Sequence, residues 1–217
     1  MADKHTLLMR LAGPLQSWGT DSLFTVRRTG NHPSKSGVTG LVAAAFGIPR
    51  DGDLSRISAL RYGVRTDSPG QLLCDYHTAA GPDGGYVTHR YYLQDAVFVA
   101  GLESEDRGFL EEISYAVMHP VYPLFLGRKS CPPTLPLILE IRDCPLEDAL
   151  RQYECTATRK PPAADIYIEC SPDDPDARPV HDRPVSFSSV SRQYAYRPEK
   201  KVRCAWPDAL PADADSE

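Results

Sequence analysis

A helix with both ends marked constrains this chain more than any other stretch. It lies in RRTGNHPSKSGVTGLVAAAFG, residues 27–47. Pro33 biases the chain away from helix until Ser34, a good N-cap, and Gly47 followed by Ile48-Pro49 supplies the C-terminal stop. Between them Val38, Leu41, Val42, Ala45 and Phe46 recur at three- and four-residue spacing, so one face can be buried. Arg27, Arg28 and His32 precede the helix, and Lys35 and Ser36 open it. Cations and backbone N–H groups thus gather at the positive end of a core helix, an arrangement that binds phosphates. An ordinary capped core helix with solvated cations accounts for the same residues.

The net charge of −5 over 217 residues argues against a nucleic-acid partner until its distribution is read. Residues 1–50 carry six basic and two acidic side chains, whereas Asp208, Asp213, Asp215 and Glu217 make the tail purely acidic. Removing that tail and the acidic segment 171–176 turns −5 into +2. Screening beyond about 8 Å makes the local field the relevant one, so a basic face can coexist with acidic loops. No apolar run approaches the ~20 residues of a membrane span, and the N-terminus lacks a signal-peptide pattern, which makes the cytoplasm the default. Six cysteines (74, 131, 144, 155, 170 and 204) show no metal-ligand spacing and read as reduced thiols.

Along the chain the pattern reads as a strand at 6–11, the helix at 34–46, a strand at 60–66, and a polar, aromatic hairpin around the glycine-rich turn 81–85. A strand at 96–102, an amphipathic helix at 104–118 and a strand at 135–141 follow. That order is βαββαβ, an α+β, ferredoxin-like arrangement shared by many RNA-binding modules. Residues 145–154 read as a short helix, and 165–170, 180–190, 193–196 and 200–206 as strands. The chain then divides into a domain at 1–144 with an insertion at about 76–92, a small C-terminal β-rich element at 145–206, and an acidic, disordered tail at 207–217.

Three kinds of chemistry can be weighed. Residues 29–36 resemble a phosphate loop, but Thr29 and Ser34 occupy both glycine positions and Pro33 removes a backbone donor, which argues against a nucleotide triphosphatase. The six histidines form no metal-binding motif. Metal-independent RNA cleavage needs only a base and cations, and Tyr76, His77, His89 and Lys35 offer these types. A non-catalytic RNA clamp uses the same types, since aromatics stack on bases and cations neutralise phosphates. Trp18 reads first as a packing residue.

Six blocks in register resemble the CasD family, a subunit of the type I-E CRISPR Cascade surveillance complex. They are LAGPLQSWG (11–19), RRTGNHPSKSGVTGLVAAAFGI (27–48), DYHT (75–78), YPLFLGRKSCPP (122–133), DIY (165–167) and SRQY (191–194). The resemblance implies a modified ferredoxin-like, RRM-like (RAMP) domain with an inserted thumb hairpin and a small C-terminal β element. It also implies a cytoplasmic RNA-binding subunit that caps the 5′ handle of the CRISPR RNA in antiviral defence. The thumb would kink the RNA and pack on the adjoining backbone subunit. Other expected partners are further Cascade subunits, including the large one, and target DNA only through the complex. No cofactor and no metal are implied, and no enzymatic activity. A related subunit of type I-C systems cleaves the repeat, which keeps a nuclease using Tyr76, His77 and His89 as the alternative. Carried onto this chain, the RNA-facing set is Gln16, Trp18, Arg27, Arg28, His32, Lys35, Ser36, Tyr76, His77, His89, Arg90, Arg128, Lys129 and Arg192.

Overall fold

The computed structural model describes residues 3–19, 25–81 and 84–206; the acidic tail lies outside them. The chain is a mixed α/β structure in which strands predominate. Its main sheet contains β1 (His5–Ala12), β4 (Arg61–Ser68), β7 (Val97–Ser104), β8 (Ile138–Arg142), β9 (Ala164–Glu169), β10 (Arg178–Ser186) and β11 (Gln193–Cys204). The order is β10-β11-β9-β4-β7-β1-β8, and every pairing is antiparallel.

Both faces of the central strands are covered, which is why TLLMRL and VFVAGL read as continuous apolar runs rather than alternating ones. Leu7, Met9 and Leu11 of β1 join Phe98 and Leu102 of β7 under the helices α1 (Lys35–Ala45) and α3 (Arg107–Met118). Leu8 and Val99 point the other way, against Leu146, Ala149 and Leu150 of α4 (Leu146–Gln152). The stretch 145–206 therefore contributes one covering helix and three strands that lengthen the sheet beyond β4.

The opening helix has the ends its sequence predicts. Ser34 is extended and its side chain accepts a hydrogen bond from the Gly37 amide. At the other end Gly47 takes a φ of +73°, and the amides of Gly47 and Ile48 donate to Ala44 and Ala43. This is a Schellman motif, and it satisfies two orphan carbonyls.

The hairpin is longer than its turn signal suggested. β5 (Gln71–Gly81) and β6 (Gly84–Gln94) run 11 residues each, and the ladder begins at the pair Gln71 and Gln94. Two short strands that the sequence did not announce, β2 (Leu15–Gln16) and β3 (Val26–Arg27), pair with β6. The expected strands at 193–196 and 200–206 are one continuous strand, β11, and the strand expected from 135 starts at Ile138. A short helix, α2 (Ser55–Ser58), fills the link after α1.

Gly127 holds the 122–133 turn against the loop after β2. Its φ is +82°, and a Cβ there would lie 1.8 Å from the Ser17 carbonyl oxygen. The turn is also tied by the Ser17 amide to Leu126 and the Leu126 amide to Cys131. Gly127→Ala is expected to cost roughly 2 kcal/mol or more, from left-handed strain together with the displaced backbone. Gly19→Ala, which meets nothing within 4 Å, should be silent by comparison. Denaturant midpoints of the two variants check this.

Candidate nucleic-acid interface

A cleft of about 810 Å³ lies along the outward face of α1. Ser36, Gly37, Gly40 and Ala44 form its floor, because the large residues of α1 are spent on the core face. Such small side chains let another backbone approach a helix closely. One wall is the turn carrying Tyr122, Phe125 and Lys129; the other is Phe187, Arg192 and Tyr194 at the β10–β11 connection. Arg50 closes the end beyond the helix C-terminus. Lys129, Arg192 and Arg50 are all exposed. Cations on the rim and aromatic rings on the walls are the equipment for unpaired nucleic acid.

Of the predicted residues, Trp18, Ser36, Lys129 and Arg192 meet at this cleft. Trp18 does so only by its edge, being 1% exposed, so packing is its main role. Gln16 is fully buried: its amide nitrogen donates to the carbonyls of Leu11 and Ala96, and its oxygen accepts from Trp18 Nε1. It is a core polar group, not an RNA contact.

Lys35 is the main correction. It is 3% exposed, and its ammonium points inward to the Leu60 carbonyl at 2.8 Å and to Glu169 at 2.9 and 3.2 Å. Burial lowers its pKa, opposed by Glu169. The helix start is also already occupied, since the Lys35 amide donates to Asp182 Oδ2 at 2.7 Å. The positive end of α1 binds an anion supplied by the protein itself.

His32 is drawn into the same charged core. It stacks on Tyr167 with ring centroids 4.0 Å apart, and its Nε2 lies 3.7 Å from Glu199. Burial lowers its pKa despite that carboxylate. At the centre sits Arg197, bonded through Nε and Nη2 to Asp182 at 2.6 and 3.0 Å and through Nη2 to Glu199 at 2.6 Å. This cluster clamps the start of α1 to β9, β10 and β11, and so sets the separation of the floor and one wall of the cleft.

Arg27 and Arg28 are exposed at β3 and just after it. Arg128 is partly spent on structure: Nη2 donates to the Arg27 carbonyl at 3.0 Å, and the guanidinium lies 4.7 Å from the Tyr92 ring centre. On the hairpin, Tyr76 and His89 are cross-strand partners with rings 5.0 Å apart. His77 leaves β5 on the opposite face, where its Nε2 is 2.5 Å from Asp75 Oδ2 and where Arg90 is paired with Asp75. The three residues of the nuclease alternative are therefore divided between two faces. Among the described residues no three His, Cys, Asp or Glu side chains are grouped to hold a metal ion, and no helix is long and apolar enough to cross a membrane.

Sequence reasoning missed Arg50, Phe187 and Tyr194. The last two were legible in FSSVSRQYAYR, where aromatic and cationic residues interleave, but only Arg192 was singled out.

Comparison with known proteins shows the family to which the chain belongs. The family described as "CRISPR-associated protein (Cas_Cas5)" matches residues 6–198. The chain belongs to that family. It is 37% identical to the CRISPR system Cascade subunit CasD of Escherichia coli (strain K12), an alignment covering 75% of this chain and 80% of the relative. Among solved structures, a Cas protein crystal structure superposes with a TM-score of 0.75 at 38% identity, covering 92% of this chain and 95% of the other. A chain of a CRISPR RNA-guided surveillance complex does so at 0.76 and 31%, covering 94% and 92%. The cleft, the hairpin and the main sheet of the chain lie within the matched residues 6–198, apart from His5 of β1 and the end of β11.

Proposed function

We propose that this chain is the subunit of a CRISPR RNA-guided surveillance complex that holds the 5′ handle of the CRISPR RNA, binding it without cutting it. The cleft carries this reading: a small-residue helical floor, a rim of Arg50, Lys129 and Arg192, and aromatic walls. Phosphates would lie along the rim and unpaired bases against the rings. The strand order β8-β1-β7-β4, with α1 and α3 as connections, is that of a ferredoxin-like module, which supports the RAMP assignment.

The β5–β6 hairpin is proposed as the thumb. Leu72, Tyr76, Tyr86 and Val87 on it are all at least half exposed, an apolar surface suited to a neighbouring subunit. Binding rather than cleavage is supported by the division of Tyr76 and His89 from His77. Co-purification with labelled CRISPR RNA and the other Cascade subunits, followed by crosslink mapping, tests the reading. Handle crosslinks at the α1 cleft are expected. Specific cleavage of repeat RNA in EDTA, lost in His77→Ala, would overturn the binding-only role.

A further inference from the structure

The β10–β11 surface carries a run of aromatic residues that starts at the edge of the core, where Phe187 packs, and continues onto exposed surface. Phe187 and Tyr194, on the cleft wall, meet with ring centroids 6.4 Å apart at 61°. Tyr194 continues to His181 at 6.1 Å and 75°, and His181 stacks on Tyr196 at 4.6 Å and 30°. His181 is exposed and Tyr196 is 67% exposed. The rings thus form a strip that begins inside the cleft and leaves it across the two strands. We propose that this strip is a stacking track for unpaired RNA bases, extending the RNA path beyond the cleft; the proposal rests on the RNA-binding reading above.

Charge favours RNA over a protein partner. Between residues 177 and 198 the only acidic residue is Asp182, and it is buried against Arg197. The exposed charges there are Arg178, Arg183 and Arg192, a uniformly cationic frame around the rings. The strand edge itself is a poor template for another strand. Pro179 and Pro184 lie within β10, the end strand of the sheet, and neither has an N–H to donate.

The rings are also held in place before any ligand arrives. The His181 ring nitrogen Nε2 lies 3.1 Å from the Tyr194 carbonyl oxygen, and each ring of the strip is braced against its neighbour. Side chains fixed in advance lose little entropy on stacking. Any base has a face to offer, so the track would be tolerant of sequence.

The test measures binding of a fluorescein-labelled single-stranded RNA of about 16 nucleotides, the upper site size of a single-strand-binding module. Tyr196→Ala is expected to lower affinity about tenfold while leaving the salt dependence unchanged, because a stacked ring releases no counterions. Tyr196→Phe should restore binding, and since the side chain is largely exposed neither substitution should disturb folding. If Lys129→Ala/Arg192→Ala weakens binding but Tyr196→Ala and His181→Ala do not, the track is wrong and the cleft reading stands. If none of the four substitutions matters, both fall. Loss of a Cascade subunit from the Tyr196→Ala complex, with RNA affinity intact, would overturn the track in favour of a protein contact.

Discussion

Arg197→Ala should cost roughly 3–5 kcal/mol of folding stability, the range for removing one partner of a buried ion pair. For a chain of this size that is a fall in melting temperature on the order of 10 °C. Arg197 is 3% exposed and sits among Asp182, Glu169 and Glu199, with Lys35 as the second cation. Its own pKa is raised, by hydrogen bonding and charge attraction to Asp182 acting against desolvation. Its removal leaves three carboxylates facing one lysine away from water, so the deletion penalty is the burial of charge left uncompensated. The double variant Arg197→Met with Asp182→Asn removes one charge of each sign and should recover part of the loss, with Glu199 still deprived of its bond from Arg197. Thermal unfolding of wild type and both variants checks this. Full recovery in the double variant together with a small loss in the single one would show that the cluster contributes little. Because Asp182 also caps α1 through the Lys35 amide, Arg197→Ala should weaken RNA binding as well, by loosening the cleft rather than by removing a contact.

The local elements were legible because their causes are local. Pro33, Ser34 and Gly47 act on the backbone within one turn, and the short apolar runs of β1 and β7 and the alternation of β4 stood apart from the helical period of α1 and α3. The fate of Lys35 was not legible. Its partners Asp182 and Glu169 lie 147 and 134 residues away, and a lysine at a helix start looks the same whether it faces phosphate or a buried carboxylate. Gln16 misled for the same reason, as its carbonyl partner Ala96 is 80 residues distant. The sequence did carry a clue in the composition of the C-terminal strands: DIYIE and HDRP place acids within otherwise apolar or basic strands, and a buried acid requires a buried cation somewhere. The cleft escaped notice because its walls come from three separate stretches, 122–129, 187–194 and α1, and only their packing creates a concavity.

Combined Arg50→Ala, Lys129→Ala and Arg192→Ala should lower single-stranded RNA affinity about 100-fold at 0.1 M salt. Each phosphate contact on a single strand contributes about 0.7 to the slope of log affinity against log salt, so three lost contacts reduce the slope by about 2. The deficit should therefore shrink as salt rises and nearly vanish toward 1 M, which separates a counterion effect from a folding defect. All three side chains are exposed, and stability should change by little more than the ±0.5 kcal/mol typical of surface substitutions. Lys35→Met provides the opposite signature. It removes a cation from the same helix, but one bonded to Glu169 and Leu60, so it should lower stability and leave the salt slope unchanged. Anisotropy titrations across a salt series distinguish the two. A slope that falls with Lys35→Met and not with the rim substitutions would move the RNA from the cleft back to the helix end.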